Sequence, residues 1–256
     1  MHDYHVHTTY SDGSLLPRMV AAAEEAGLDG LGFADHCNVF GTEGARAYRN
    51  AFGFNLDLTH ERRRRAIERS RDRTDLRLYD GVEMDYHPDH EGAIEDFLAD
   101  AEFDYAIGSV HQIDGANVHD REHFAALSPA EREHAVETYV ERVCALLDSE
   151  LVDIAAHIDI VERNPALRGL LDEGHYHRIA DALADSQTVP EINAGRVTRE
   201  YGDFHPSEQF LETLLAEGVA FTIGSDAHEP DELLACQDRL AAVVRNEDLP
   251  IVELDV

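Results

Sequence analysis

The chain has 256 residues, 43% of them hydrophobic, which is enough to bury the core of one large domain. Its formal charge is −32, from 53 acidic residues against 21 arginines with no lysine. We expect no stable binding to nucleic acid, because phosphate backbones need a basic footprint on the protein. No run of about 18 apolar residues is present, so we expect no membrane span.

Charge and cysteine content both indicate the surroundings in which the protein works. A chain this acidic repels itself in dilute salt, and molar salt screens the repulsion. The composition therefore predicts a halophilic protein from a cell with molar internal salt; the alternative is a surface that is only strongly solvated. Three cysteines without a CxxC pattern, Cys37, Cys144 and Cys236, predict free thiols and a cytoplasmic location.

Strand-like runs rich in Val, Ile, Phe and Tyr alternate seven times with helix-like stretches along the chain. The predicted strands are Tyr4–His5, Leu28–Ala34, Leu76–Glu83, Tyr105–Val110, Val152–Ala156, Thr188–Asn193 and Ala220–Gly224. Strands that alternate with helices indicate a parallel sheet. Because polar residues follow each strand, we expect the sheet to close into a barrel, as one domain over residues 1–256.

Apolar residues at three- and four-residue spacing predict the helices. These include Leu15–Ala26, Ile94–Ala101, Pro129–Leu147 and a helix from Pro206 to about Ala216. Ser128 before Pro129, followed by Glu131, is typical of a capped helix start.

One segment, between His36 and Leu76, breaks this rhythm and contains the arginine run 62–65. We expect an exposed helix whose arginines pair with acidic residues one turn away, such as Glu61 with Arg65. The alternative is a basic lid that draws an anionic substrate to the site.

Nine residues of types that bind divalent metals lie at or just after the strand-like runs. They are His5, His7, Asp12, His36, Glu83, His111, His157, Asp226 and His228. The carboxyl ends of parallel strands share one face of a barrel, so ligands far apart in sequence meet there. Imidazole and carboxylate groups suit zinc, manganese or iron, and a carboxylate such as Glu83 can bridge two ions.

Six segments, HVHTTYSDG, ADH, GVEMDY, IGSVH, AHID and GSDAH, together resemble the successive motifs of the PHP superfamily (polymerase and histidinol phosphatase). The stretch from Asp85 to His111 resembles the monofunctional histidinol-phosphate phosphatases of that superfamily. The resemblance implies a distorted (β/α)7 barrel, similar to a TIM barrel, with three divalent metal ions. It implies that the first ion is held by His5, His7, Glu83 and Asp226, the second by Glu83, His111 and His157, and the third by Asp12, His36 and His228.

A rival class of barrel, the amidohydrolases, also begins with an HxH strand. Many of its members bridge their metals with a carboxylated lysine, and this chain has no lysine. The composition therefore favours a glutamate bridge, and amidohydrolases with another bridge stay open as an alternative.

Phosphate binding needs cations beyond the metals, and arginine offers two parallel donors. The candidates just past strand ends are Arg163, Arg196 and Arg199, with Asn193 as a further donor. The resembled family has a phosphate-binding arginine after the corresponding asparagine at a different spacing, so Arg196 and Arg199 both stay candidates. Either Asp226 or His228 is the candidate for managing the proton.

These observations and the resemblance together predict a phosphomonoesterase that releases phosphate from L-histidinol phosphate, a small substrate in histidine biosynthesis. One alternative is a phosphoesterase that acts on nucleotides or single-strand nucleic-acid ends. The other is a metal-binding barrel with a regulatory or structural role. The metal identity and the oligomeric state are left open by the sequence.

The halophilic interpretation is tested by salt. Thermal unfolding should be compared in about 0.1 M and about 3 M KCl, where the Debye length falls from about 10 Å to less than about 3 Å. We expect a large rise in the melting temperature at the higher salt, because screening removes repulsion among the 53 acidic residues. An unchanged melting temperature would leave only the solvated-surface alternative.

Overall fold

Parallel strands form the centre of the fold in the computed structural model, which describes residues 1–246 and 249–256. The strands are β1 (His2–Val6), β2 (Gly30–Phe33), β3 (His36–Cys37), β4 (Arg77–Asp85), β5 (Tyr105–Ser109), β6 (Gln112–Ile113), β7 (Ala116–Asn117), β8 (Ile154–Ala155), β9 (Val189–Asn193) and β10 (Thr222–Gly224). Their order in the sheet is β1-β2-β4-β5-β8-β9-β10, and β3 also pairs with β4. The short β6 and β7 form a separate antiparallel hairpin.

The two edges of this sheet meet at the carboxyl ends of β1 and β10. The amide of His7 donates to the carbonyl of Ala227 at 3.0 Å, and the amide of Asp226 donates to the carbonyl of His5 at 2.7 Å. Val6 and Ala227 form a parallel bridge. The sheet is therefore a nearly closed barrel with seven strand positions, and the predicted distorted (β/α)7 fold is confirmed.

Helices surround the barrel and connect its strands. They are α1 (Leu16–Glu25), α2 (Glu43–Phe52), α3 (Leu56–Arg71), α4 (Glu91–Ala101), α5 (Arg121–Ala126), α6 (Pro129–Asp148), α7 (Glu173–Asp185), α8 (Glu208–Ala216) and α9 (Pro230–Asn246). The start of α6 has a complete capping box: the amide of Glu131 donates to Ser128 Oγ, and the amide of Ser128 donates to Glu131 Oε2 at 2.7 Å. No helix among residues 1–246 and 249–256 is long and apolar enough to cross a membrane.

The helix α8 begins at Glu208, so the predicted start at Pro206 is wrong. The amide of His205 donates to the carbonyl of Asn193, and the amide of Asn193 donates back to the carbonyl of His205. This antiparallel bridge holds the chain extended at His205. The helix therefore starts only after Ser207, its N-terminal cap position.

Tyrosine rings fill the barrel below the carboxyl ends of its strands. Tyr105 is buried, its hydroxyl donates to the carbonyl of Tyr4, and its ring packs edge-on against the ring of Tyr4 at 5.5 Å. A Cβ atom at Gly32 would lie 2.1 Å from the Tyr105 hydroxyl, and one at Gly81 would lie 2.3 Å from the ring. Both positions therefore require glycine, because only a residue without a side chain lets the tyrosine cross the barrel.

The arginine run in α3 is partly exposed and partly buried. Arg65 pairs with Glu61 at 3.1 Å on the exposed face, as predicted. Arg63, in contrast, is fully buried, and its guanidinium donates to Asp35 at 2.8 Å and to Asp80 at 2.8 Å. The expectation of an exposed arginine is therefore wrong at Arg63. The physical reason is that α3 packs on the barrel wall, where two buried carboxylates require a cation.

We predict opposite outcomes for these two neighbouring arginines. Arg63→Ala should lower the free energy of unfolding by about 3–5 kcal/mol, because it leaves the buried carboxylate of Asp35 without a counterion and leaves Asp80 paired with Arg64 alone. The control Arg65→Ala removes an exposed pair, which contributes at most about 0.5 kcal/mol. Urea unfolding at a fixed KCl concentration measures both values, and equal effects of the two substitutions would contradict the structural role of Arg63.

Candidate metal centre

The nine predicted ligands meet at the carboxyl end of the barrel, around the carboxylate of Glu83. This side chain projects from β4 and is 1% exposed. Its Oε1 atom lies 3.2 Å from His157 Nε2 and 3.5 Å from His111 Nε2. His111 follows β5, which pairs with β4, and His157 follows β8, which pairs with β5. This order of strands in the sheet brings both rings to one carboxylate oxygen.

The other oxygen of Glu83 faces three more imidazoles. Glu83 Oε2 lies 2.6 Å from His36 Nδ1, 3.4 Å from His5 Nε2 and 3.7 Å from His7 Nε2. His36 reaches this position because β3 pairs with β4 in the register that places His36 beside Glu83. His5 and His7 both face the centre, because alternate residues of a strand share one face.

The remaining three predicted ligands lie on the outer side of His7. Asp226 Oδ1 is 3.2 Å from His7 Nε2, and Asp12 Oδ1 is 3.4 Å from His228 Nε2. The rings of His7 and His228 stack with their centroids 4.1 Å apart. Asp12 also lies 3.9 Å from His36 Nε2, which joins this outer group to the Glu83 group.

Three sets of described residues have ligand atoms that all lie within 4.8 Å of one another. The sets are His7, Asp12, His36 and His228; His5, His7 and Glu83; and His36, Glu83 and His111. His36 and His7 each belong to two sets, whereas the resemblance places each of them at a single ion. His157 and Asp226 belong to none of these sets, yet both lie 3.2 Å from a set member.

Two buried atoms at the centre, His5 Nε2 and Glu83 Oε2, make no well-aligned hydrogen bond with the described residues, although His36 Nδ1 lies 2.6 Å from Glu83 Oε2. A buried polar atom without a partner is costly, and native structures rarely tolerate one. Here the unpartnered atoms point into a space that other nitrogen and oxygen atoms also face. The donor set therefore fits divalent metal ions, and its imidazole and carboxylate groups suit zinc.

The charge states of His7, His157 and Glu83 fit metal binding, whereas at His5 and His36 the neighbouring carboxylates outweigh burial and raise the pKa. Burial and the neighbouring His228 and His36 lower the pKa of His7 to about 4, and burial lowers that of His157 to about 4. Both rings are therefore neutral near pH 7, with a free lone pair. Burial opposes ionisation of Glu83, but the adjacent imidazoles outweigh it and hold its pKa well below the usual value.

Two buried carboxylates that the sequence analysis missed orient the histidine rings. Glu191 accepts a hydrogen bond from His5 Nδ1 at 2.9 Å, and Asp85 accepts one from His111 Nδ1 at 2.7 Å. These contacts leave the Nε2 atoms of both rings free to face the centre. Strand alternation provides a signal for both carboxylates: Glu191 is two residues before Asn193, and Asp85 is two residues after Glu83.

Two of the predicted ligands have backbone angles that are rare outside glycine. His157 has φ of 27° and Asp226 has φ of 52°, and each follows the end of a barrel strand. Such conformations cost about 1–3 kcal/mol and concentrate at functional sites. Gly195 lies against this turn, since a Cβ atom there would be 2.2 Å from Asp226 Oδ2.

The predicted phosphate-binding residues Arg163 and Asn193 are both buried, unlike the other two, Arg196 and Arg199. Arg163 is buried, and its guanidinium donates to Asp226 at 3.2 Å, to Asn193 at 2.9 Å and to His205 at 2.8 Å. Asn193 is fully buried, and its amide group donates to Glu191 at 2.7 Å.

The two arginines of the loop after β9 differ from each other. Arg196 lines the cavity above the metal centre. Arg199 is 55% exposed, pairs with Glu232 and does not line that cavity.

The cavity above the centre has a volume of about 500 Å³, and we call it the centre cavity. Besides the predicted ligands, Arg163 and Arg196, its walls include Tyr48, Phe52, Phe54, Asn117, His119 and Asp120. The aromatic side chains come from α2 and the turn after it, and Phe54 stacks on His36 at 4.8 Å. The centre cavity therefore has a cationic side beside the metal ligands and an aromatic wall.

Comparisons with known proteins identify relatives of this chain. The sequence profile described as the PHP domain matches residues 3–194. The chain is 28% identical over 240 residues to a Deinococcus radiodurans protein named "Probable histidinol-phosphatase", covering 90% of this chain and 87% of the relative. It is 27% identical over 240 residues to the "Histidinol-phosphatase" of Lactococcus lactis, covering 88% of this chain and 83% of the relative.

A crystal structure with a similar fold is that of histidinol phosphate phosphatase from Lactococcus lactis, in complex with zinc, L-histidinol and phosphate. The TM-score is 0.76, and the match covers 98% of this chain and 95% of that chain at 21% identity. The likeness shows that both chains share one fold.

We predict that Glu191 controls metal affinity through His5. Glu191→Gln keeps the size of the side chain but removes the charge that fixes the His5 ring, so zinc affinity should fall about 10- to 100-fold. Competition with a zinc chelator measures this change. The control Glu133→Gln, on the exposed face of α6, should have no effect. A zinc affinity of Glu191→Gln within twofold of the wild type would contradict the assigned role.

Proposed function

Because this chain belongs to the PHP domain family, we propose that it is a phosphomonoesterase that hydrolyses L-histidinol phosphate to L-histidinol and phosphate. The observation that carries the proposal is the centre around Glu83, where the nine predicted ligand residues adjoin a buried arginine and an open cavity. The names of the relatives and the ligands of the Lactococcus lactis structure support the same substrate.

We propose further that the nine residues hold three divalent ions, with zinc, manganese or iron as the candidates. The three sets of converging ligand atoms support this number. Bound ions would supply Lewis acidity and stabilise the negative charge that grows on the phosphoryl group in the transition state. Glu83 belongs to two of the sets, which supports its assignment as the bridging carboxylate.

The geometry divides the candidate phosphate-binding residues into two groups. Arg163 and Arg196 line the centre cavity, so both guanidinium groups can donate to the phosphate of the substrate. Arg199 is committed to Glu232 outside that cavity, and we therefore assign phosphate binding to Arg196. Asn193 accepts a hydrogen bond from Arg163 and is fully buried, so we propose that it positions this arginine.

The proton for the departing alkoxide requires a group beside the metals. Asp226 and His228 both line the centre cavity. The carbonyl of Asp226 accepts from His228 Nδ1 at 3.0 Å, which turns the Nε2 atom of this ring toward Asp12 and the centre. We therefore propose that either Asp226 or His228 transfers this proton.

The aromatic wall of the centre cavity supports a small leaving group with a flat ring. Tyr48, Phe52 and Phe54 offer ring faces for an imidazole. Asp120, on the same cavity, offers a negative charge for the primary amine of histidinol. A polynucleotide would be repelled by a protein of charge −32.

We also propose that the enzyme is halophilic, which its acidic composition supports, and that it is cytoplasmic. All three cysteines are free thiols in the structure, as expected of a reducing compartment.

Metal content tests the trinuclear centre. Elemental analysis of carefully isolated protein should approach three equivalents of zinc, manganese or iron, because nine ligands with a shared Glu83 suffice for three ions. Glu83→Ala should lose metal and nearly all activity. Full activity with a single stably bound ion would contradict this centre.

Substrate preference tests the assigned reaction. The value of kcat/KM for histidinol phosphate should exceed that for nucleotides and single-stranded DNA by orders of magnitude. Arg163→Ala and Arg196→Ala should each lower it by about 10- to 100-fold, because each removes a charged hydrogen bond of about 1.5–3 kcal/mol. Arg199→Ala is the matched control and should change kcat/KM little. Better turnover of nucleotides would refute the histidinol phosphate assignment while leaving the metal centre intact.

A further inference from the structure

A second cavity, of about 340 Å³, adjoins the centre cavity and shares Arg163 and Arg196 with it. Arg121 and Arg199 also line this second cavity, and neither lines the first. We call it the arginine cavity. It brings together four of the 21 arginines of a chain whose formal charge is −32, so it is a local concentration of positive charge.

The positive charge of the arginine cavity is only partly balanced by the protein. Arg121 pairs with Glu200 at 2.9 Å, Arg199 pairs with Glu232, and Arg163 contacts Asp226.

Arg196 lies between these pairs, and its guanidinium makes no ion pair or hydrogen bond with residues 1–246 or 249–256. Burial, and then the nearby charge of Arg163, lower the pKa of Arg196. Cations held this close repel one another, and a bound anion would relieve that repulsion.

We propose that the arginine cavity is a second phosphate site, which receives the inorganic phosphate ion released at the metal centre. This inference rests on the proposed phosphatase function. Because Arg163 and Arg196 line both cavities, phosphate can pass from one to the other without losing its contact with guanidinium groups. Arginine donates two parallel hydrogen bonds to phosphate oxygens, which makes a cluster of four suitable for this ion.

The chemistry of the other product excludes it from the arginine cavity. Histidinol carries a primary amine, which four arginines would repel. The aromatic wall and Asp120 of the centre cavity suit that product instead. The two products therefore occupy different cavities.

The experiment counts phosphate ions bound to the metal-loaded protein by equilibrium dialysis with labelled phosphate at a constant KCl concentration. We expect two phosphate ions per chain in the wild type. Arg121→Ala should weaken one of them about threefold to tenfold, since an exposed arginine contributes a partly screened contact. The control Arg73→Ala removes the same charge from an exposed site at the end of α3 and should change neither.

A second variant separates this site from catalysis. Glu83→Gln should abolish phosphate binding at the metal centre and keep one phosphate, which Arg121→Ala then weakens in the double variant. A single phosphate in the wild type, lost in Glu83→Gln, would overturn the second site. If the enzyme failed to hydrolyse histidinol phosphate while Glu83→Gln still bound one phosphate, the proposed substrate would fail and the second site would stand.

A second phosphate group of a larger substrate would also suit the four arginines of the arginine cavity. Turnover measurements distinguish such a substrate from inorganic phosphate. Arg121→Ala should leave kcat/KM unchanged for both histidinol phosphate and a 5′-phosphorylated dinucleotide. A tenfold loss of kcat/KM for the dinucleotide alone, with unchanged binding of inorganic phosphate, would assign the arginine cavity to the substrate and overturn the proposal.

Discussion

The buried carboxylate of Glu83 is the constraint on which the rest of the site depends. It lies at the carboxyl end of the barrel among five imidazoles, and one of its oxygens makes no well-aligned hydrogen bond with the described residues. Burial of an ionised carboxylate is strongly unfavourable unless positive charge compensates it. In this arrangement the positive charge comes either from His5 and His36, whose pKa the neighbouring carboxylates raise despite burial, or from bound metal ions. The donor set fits divalent metal ions, which would supply this positive charge.

Buried charged groups outside the centre hold its ligands in place. Glu191 fixes the ring of His5, and Asp85 fixes that of His111. Asp35 accepts hydrogen bonds from the amide and the hydroxyl of Thr8, at 2.6 Å and 2.7 Å, directly after His7. Arg63 of α3 pairs with this same Asp35, so the arginine connects an outer helix to the metal-binding loop. One buried ion pair therefore contributes to the stability of the fold and also holds the segment that carries the proposed ligand His7.

The surface of this protein is acidic, whereas the region beside its metal centre is rich in arginine. Acidic residues cover a chain of net charge −32, whereas four arginines lie together beside the metal centre. A small phosphate ester is attracted only where these arginines and the metals outweigh the acidic surface. A substrate that also carries an amine and an imidazole gains attraction from Asp120 and the aromatic wall of the centre cavity. We expect the same surface to repel long polyanions, which would contact it over a larger area than a small ester does.

The local pattern of the sequence determined the barrel and the position of the nine proposed ligand residues, because strand alternation and strand ends are properties of short segments. The partners of those residues were decided by tertiary structure. His5 and Glu191 are 186 residues apart, and Arg63 meets Asp35 only because α3 packs on the barrel wall. Likewise, Arg199 pairs with Glu232 and does not line the centre cavity, whereas Arg196 does, although both arginines lie in one loop. Such contacts depend on which elements pack together, and the periodicity of a single segment carries no information about its distant neighbours.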